Sequence, residues 1–283
     1  MQAPLFEGFS FIRMYLILII VLGLVFGSFI TEFSYRFPKQ IPFAKGRSFC
    51  DKCRTSLSWK DNIPLLSYLM LQGRCRYCRK NISIRYPLIE VATALGFFVT
   101  YTVFVRCNPA IDFFGLQMGN ICWLKSNLGI WAFPLALFIY LAVVAVSVID
   151  LEEQIIPDEL IYIPYLIIVI LLIYIHPDNF YTFILSGFAA SVFLLILHLI
   201  TRGRGMGLGD VKFVLLGGTL LGISLMLLWL TISFVLGAVT GLFLIAIKKA
   251  EFGKNISFGP FLAAALIITF LFGTDILKLL GFI

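Results

Sequence analysis

The chain has 283 residues, of which 60% are hydrophobic and only 13% charged, and its formal net charge is +7. Soluble globular domains carry roughly 45–50% apolar residues, so this composition excludes a soluble fold and indicates an all-α polytopic membrane protein. The excess of positive charge does not indicate a nucleic-acid partner, because most of it crowds into one polar segment between apolar runs.

Residues 9–31 form the first apolar run, long enough for the ~20 residues that a bilayer crossing requires. No small-residue cleavage site precedes the polar stretch after it, which argues against a signal peptide. Gly27-Ser28, near the end of this run, suits close packing against another helix. Residues 32–87 are polar, basic and rich in cysteine. Further apolar runs follow at 88–105, 130–149, 160–175, 181–200, 211–222, 224–247 and 258–273. The expected architecture is therefore about eight transmembrane helices with a small extramembrane domain between the first two. The stretch 211–247 is too long for one crossing, and Gly222 is the expected turn.

The polar segment holds Cys50-x-x-Cys53 and Cys75-x-x-Cys78, separated by 21 residues. This is the spacing of a four-thiolate structural zinc site, in which each pair forms a knuckle and the metal is held tetrahedrally. A segment of about fifty residues has too little core to be stable alone, so the metal is expected to supply folding free energy rather than chemistry. Two disulfides are the alternative reading of these four cysteines. Cys107 and Cys122 form a separate group, compatible with a disulfide or with free thiols.

Basic residues in short loops set orientation. Twelve of the 22 lie between residues 32 and 88; Arg202, Arg204, Lys212, Lys248, Lys249 and Lys254 fall on the same side of an eight-span topology. Arg13, Arg106, Lys125 and Lys278 fall opposite. The cysteine domain is therefore expected in the cytoplasm, where reduced thiols favour the metal reading over disulfides. The carboxyl terminus and the 106–130 loop are expected on the opposite side.

Two acids stand at membrane edges. Asp150 ends the third apolar run, and Asp210 closes the glycine-rich stretch Gly205-Met206-Gly207-Leu208-Gly209-Asp210-Val211-Lys212. An acid at bilayer depth costs about 2.5–3.5 kcal/mol on insertion scales, which makes each a functional candidate. Both are expected on the cytoplasmic side. Gly207 and Gly209 remove bulk, so that an extended substrate strand can approach Asp210; Lys212 borders the same cleft or anchors the interface. Asp158, after Pro157, reads as a helix-start acid, and Glu152 and Glu153 as solvated loop residues. His176 reads as an interfacial residue and His198 as a buried, hydrogen-bonded one.

These motifs resemble the bacterial type IV prepilin peptidases, bifunctional leader peptidases and N-methyltransferases of type IV pilus assembly and type II secretion. The resemblance runs through Gly27-Ser28-Phe29, Tyr35-Arg36-Phe37-Pro38, both cysteine pairs, Asp61-Asn62-Ile63-Pro64-Leu65-Leu66-Ser67-Tyr68 and Gly73-Arg74-Cys75-Arg76. It continues through Ile82-Ser83-Ile84-Arg85-Tyr86-Pro87-Leu88-Ile89-Glu90, the Asp150 stretch, Gly205 to Lys212, and Phe258-Gly259-Pro260-Phe261. Thr31 and Glu32 depart from it, standing where an Asn and an apolar residue are usual. The resemblance implies that Asp150 and Asp210 are the catalytic aspartates of a GxGD-type intramembrane aspartic protease in the bacterial inner membrane. Its substrates would be prepilins and pseudopilins, bound with lipid around their apolar helix. Cleavage would be followed by methylation of the new amino-terminal residue, usually Phe, from S-adenosylmethionine, with Glu90 a candidate to handle the amine.

The implied organisation is a first helix at 1–31, a cytoplasmic zinc-binding, methyltransferase-associated domain at 32–87, a second helix and periplasmic loop at 88–129, and a six-helix peptidase domain at 130–283. A peptidase without methyl transfer is the alternative left open by Thr31 and Glu32. An ion-coupled transporter would also carry membrane acids, but has no need of a zinc domain beside a GxGD turn.

Overall fold

A computed structural model describes residues 4–41, 48–50, 52–107, 119–203, 205–247 and 257–281. Lys45, Arg47, Arg204, Lys248, Lys249 and Lys254, counted above for orientation, lie outside the described residues, as do residues 108–118 of the expected 106–130 loop. The chain divides into two compact units, Met1–Thr102 and Val103–Ile283. The described residues are helical apart from turns and two isolated antiparallel bridges.

In the first unit, α1 (Pro4–Arg36) packs against the start of α3 (Arg85–Arg106). Two glycines set this approach. A Cβ built on Gly23 or Gly27 would lie 2.6 Å from the Cα of Ala94 or Glu90, closer than real atoms come. The expectation that Gly27 serves close helix packing therefore holds. Arg85 completes the joint by donating from Nη2 to Ser34 Oγ at 2.6 Å, and Glu32 pairs with Arg36 one turn along α1. Between the two long helices lie a 3-10 turn (Trp59–Asn62), the short α2 (Leu66–Met70) and two bridges, Phe49 to Ser56 and Arg74 to Asn81.

The second unit holds α4 (Gly119–Leu128), α5 (Ala132–Glu153), α6 (Glu159–Ile175), α7 (Phe180–Ile200), α8 (Leu208–Ala246) and α9 (Gly259–Leu279). The expected loop at 106–130 thus contains a helix, α4. Cys122 on that helix is disulfide-bonded to Cys107, just beyond the end of α3, which decides the pairing left open by the sequence. Helix α5 runs to Glu153, four residues past the expected limit, and stops where Gln154 enters the left-handed region at φ 55°. Glu152 and Glu153 therefore form its exposed last turn rather than a loop.

Among the described residues, six helical stretches are long and apolar enough to cross a membrane, and α6, at 17 residues, is shorter. One of the six is the 39-residue α8, in which Gly222 is non-helical with φ 73° and ψ 175°. The break folds the helix back on itself. Trp229 lies against Gly217, and its ring is edge-on to Phe213 at 6.3 Å, although twelve residues of straight helix would separate positions 217 and 229 by about 18 Å. The indole N–H then donates to Leu262 O on α9 at 2.8 Å, tying three segments together in the core. The expected turn at Gly222 is present, and the eight apolar runs are all helical.

Only glycine occupies the backbone region of Gly222 without strain, and a Cβ there would also lie 3.1 Å from the Phe183 ring. Gly222→Ala is expected to destabilise the second unit by about 1–3 kcal/mol. Thermal unfolding in detergent should show a clearly lowered Tm, and an unchanged Tm would refute this account of the fold-back.

Candidate functional site

Two carboxylates converge in the second unit. Asp150, in the last turns of α5, is 7% exposed, and Asp210, in the first turn of α8, is 6% exposed. The chain just after Asp150 packs against the turn that carries Asp210, through Ile156 beside Gly209. A buried carboxylate needs donors, and each finds a main-chain N–H at a helix N-terminus. Asp210 accepts from Gly207 N at 3.0 Å, as the third-position acid of a capping arrangement does. Asp150 sits at the wrong end of its own helix for this, and instead accepts from Gly259 N at 3.0 Å, at the start of α9, and from the Ser257 hydroxyl. A Cβ on Gly259 would run into Asp150 Oδ2. Neither Ser257 nor Gly259 was given a role by sequence reasoning. The Phe258-Gly259-Pro260 run was visible, but nothing local indicated that its partner lay 109 residues earlier.

The structure separates the expected cleft residues. A Cβ on Gly209 would lie 3.0 Å from Ile156 Cβ and Cγ1, so the space beside Gly209 is filled by the loop that follows α5. The slimness of this glycine brings the Asp150 loop against the Asp210 helix. Gly207 is less crowded, since its Cβ would meet Asp210 Oδ2 at 3.5 Å and Gly209 N at 3.8 Å, both ordinary contacts. Lys212 Nζ is paired with Asp158 at 2.6 Å, an exposed bridge from the second turn of α8 to the N-cap of α6. Exposed pairs of this kind contribute about 0–1 kcal/mol, and Asp158 stands at a helix start as expected. His198 reaches Met206 O at 2.7 Å from Nδ1, pinning the glycine-rich segment to the end of α7. His176 stacks on Phe183.

In the first unit, the Sγ atoms of Cys50, Cys53, Cys75 and Cys78 all lie within 4.8 Å of one another. A tetrahedral ion with metal–sulfur bonds of about 2.3 Å places its sulfurs about 3.8 Å apart, so the donor set fits such an ion. Each pair is shaped by a matching turn: Arg54 N donates to Cys50 O and Cys50 N to Thr55 O, while Arg79 N donates to Cys75 O and Cys75 N to Lys80 O. Arg54 and Arg79 hold corresponding positive φ values of 58° and 59°. Hydrogen bonds from Thr55 draw the Cys53 thiol down to about 6. At Cys78 the Lys80 N–H pulls the same way, but burial and the three neighbouring thiols outweigh it and push the group up to about 11. Four crowded thiols cannot all ionise alone, and a dication removes that conflict.

Beside this cluster lies a cavity of ≈ 770 Å³, lined by Ser28, Phe49, Asp61, Tyr86 and Glu90 among others. Its size is within the roughly 300–1,000 Å³ of small-molecule sites. Glu90 is 6% exposed and accepts Leu65 N at 2.7 Å, with the Ser28 hydroxyl also in reach. Leu65 has φ 59° and ψ −47°, and Leu66 N bonds Pro64 O across it at 2.6 Å, so the segment is a tight γ-turn held in a strained form by the carboxylate. Asp61 joins this segment to the second knuckle, accepting from Ser58 N and Oγ, Arg76 Nε at 2.7 Å and Tyr77 OH.

Residues 21–104 match the bacterial peptidase A24 N-terminal domain, and residues 137–242 match the type IV leader peptidase family. Among curated relatives, proteins of Vibrio cholerae, Burkholderia pseudomallei and Pseudomonas putida are 30%, 32% and 29% identical to this chain. The alignments cover 90%, 93% and 93% of this chain and 96%, 87% and 93% of the relatives. Each is named prepilin leader peptidase/N-methyltransferase. This chain belongs to that family. No solved structure matches it significantly. The first match takes in the four cysteines and Glu90, the second takes in Asp150 and Asp210, and Ser257 and Gly259 lie beyond both.

Asp61 gives a pH test of the first unit. Burial alone would raise its carboxyl, but the donors from Ser58, Arg76 and Tyr77 outweigh it and hold the group at about 2, below its ordinary 3.8. A lowered acid contributes stability above its unfolded value and loses it as pH falls through its folded value. Asp61→Asn should therefore lower the Tm of the full-length, zinc-supplemented protein at pH 7. The gap from wild type should shrink below about pH 4 and close near pH 2. A gap independent of pH would assign the effect to packing.

Proposed function

We propose that the chain is a membrane-embedded aspartic endopeptidase that removes the leader from prepilins and pseudopilins and then N-methylates the new amino terminus. What supports the peptidase assignment is that Asp150 and Asp210 are both buried, on helices distant in sequence that the packing of Ile156 beside Gly209 joins. Two close carboxylates share one proton, because like charges in contact do not both ionise readily. The ionised member takes a proton from water as that water attacks the scissile carbonyl, and the protonated member donates to the carbonyl oxygen. The C–N bond then breaks as the first carboxylate passes the proton it took from water to the leaving amine, with no covalent enzyme intermediate. Gly207, whose flank is less crowded than that of Gly209, borders the path of an extended substrate strand, while Lys212 and Asp158 fix the rim.

Methyl transfer is assigned to the cavity beside the cysteine cluster, within the 32–87 domain and the following helix. S-adenosylmethionine, when bound there, supplies an electrophilic methyl group on a sulfonium. The cavity's volume and the Glu90 carboxylate suit a cationic donor and an amine. Glu90 would hold the substrate ammonium and take its proton, so that the nitrogen lone pair is free to attack. The departure at Thr31 and Glu32 leaves this arrangement intact: Thr31 Oγ1 bonds Gly27 O at 2.8 Å within its own helix, and Glu32 is paired with Arg36. That supports methylation over a peptidase that has lost it.

The metal is assigned as structural zinc by its four-thiolate donor set. The inner membrane is the expected location, with lipid around the apolar helices and no nucleic-acid partner. The cysteine domain and both aspartates are assigned to the cytoplasmic side. The basic residues support this orientation, and so does thiol chemistry: α3 is preceded by four free thiols and followed by the Cys107–Cys122 disulfide, as expected of a helix running from a reducing to an oxidising compartment. The peptidase domain is assigned to 130–283, after the second helix and loop at 88–129.

The two activities should separate. Asp150→Ala and Asp210→Ala, singly, are expected to abolish leader removal from a purified prepilin while still methylating a peptide with a free amino-terminal Phe. Glu90→Gln should cleave normally and lower methylation at least about tenfold, equivalent to roughly 1.4 kcal/mol of barrier. Mass spectrometry of the product amino terminus reads both; cleavage by either aspartate variant would overturn the assignment.

For the metal, Cys50→Ser or Cys75→Ser should lose bound zinc, because a three-ligand remnant of a structural site binds poorly. Methylation should fall more than cleavage. Elemental analysis finding no zinc in the intact protein would refute the metal assignment.

A further inference from the structure

Asp150 and Asp210 are supported in different ways. Asp210 is held by its own helix, since the N–H of Gly207 is only three residues away. Asp150 lies near the C-terminal end of α5, where the main-chain carbonyls present the negative end of the helix dipole and offer a carboxylate no donors. Among the described residues, both hydrogen bonds to its carboxylate come from the segment that enters α9: the Ser257 hydroxyl and the Gly259 N–H, converging on the same oxygen, Oδ2. A carboxylate oxygen has two lone-pair directions, and these two donors occupy both. Oδ1 accepts no hydrogen bond among the described residues.

We propose that Ser257 is a positioning residue for Asp150, one that with Gly259 N–H fixes Oδ2 and so commits Oδ1 to the attacking water. The inference rests on the aspartate-pair reading and goes beyond it by assigning the two oxygens of Asp150 different tasks and naming the side chain that enforces the division. A single donor at Oδ2 would leave the carboxylate free to rotate about its Cβ–Cγ bond and exchange its oxygens. Two donors, one from the first residue of α9 and one from two residues before it, restrain that rotation. Small errors in placement at a reacting centre lower rates strongly, whereas substrate binding, which takes place along the cleft, does not depend on which oxygen faces the water.

The effect should therefore appear in kcat and not in KM. In purified full-length protein, Ser257→Ala is expected to lower kcat for leader cleavage roughly five- to tenfold, with KM, Tm and methylation of a pre-cleaved peptide unchanged. Ser257→Thr, which keeps the hydroxyl, should restore most of the rate. An unchanged kcat in Ser257→Ala beside an inactive Asp150→Ala would overturn the inference and leave the aspartate pair standing. A parallel fall in Tm and both activities that Thr does not rescue would make Ser257 merely structural and also overturn it. Cleavage by Asp150→Ala would remove the pair reading, and this inference with it.

Discussion

The interaction on which this structure depends is the solvation of two carboxylates by helix N-termini in a setting that offers little water. An acid at membrane depth is expensive unless donors replace its hydration, and peptide N–H groups at a helix start are the donors a helical protein has in surplus. Asp210 takes one from the cap of the helix that carries it. Asp150 cannot, because it rides at a helix end, so the fold must bring another start to it. Helix α9 supplies that start, and Gly259 is the residue small enough to let it close on the carboxylate.

Much of the second unit can be read as the means of delivering α9 and α8 to that meeting. The break at Gly222 turns the long α8 back, which places Trp229 over Gly217 and lets its indole bind Leu262 on α9. On the other side, a Cβ on Gly218 would lie 2.9 Å from the Cα of Gly187, so α7 and α8 touch backbone to backbone. Such close approach through small residues gives packing where lipid removes the usual hydrophobic drive between helices. Gly209 does the same at the loop scale, admitting Ile156 and so joining the chain just after Asp150 to the chain just before Asp210.

The first unit answers a similar problem with different parts. Glu90 is buried where α1 and α3 come closest, and its partner is the N–H of Leu65 in a strained turn. A non-glycine residue in that region persists only where its surroundings enforce it. Here the enforcement is visible: Glu90 holds the turn from within, and Asp61, four residues before Leu65, fastens the same segment to the second cysteine knuckle through Arg76 and Tyr77. The cysteine cluster and the cavity are thus mechanically one piece, which is the physical reason to couple the state of the cluster with the chemistry assigned to the cavity.

The amino-acid sequence by itself determined the membrane class, the apolar runs, the cysteine quartet, the two acids and even the Gly222 turn, because each depends on local composition, spacing or backbone stereochemistry. It also determined that Gly27 marks a helix contact. What only the tertiary structure decided depends on residues far apart in the chain: the disulfide between Cys107 and Cys122, the pairing of Lys212 with Asp158, and the packing of Ile156 into the space beside Gly209. The hold on Asp150 is the clearest case. Sequence shows an acid at a helix end and, more than a hundred residues later, a Ser-Phe-Gly-Pro run. Nothing in either stretch names the other, because a hydrogen bond between them has no periodicity or spacing and exists only once α5 and α9 have packed.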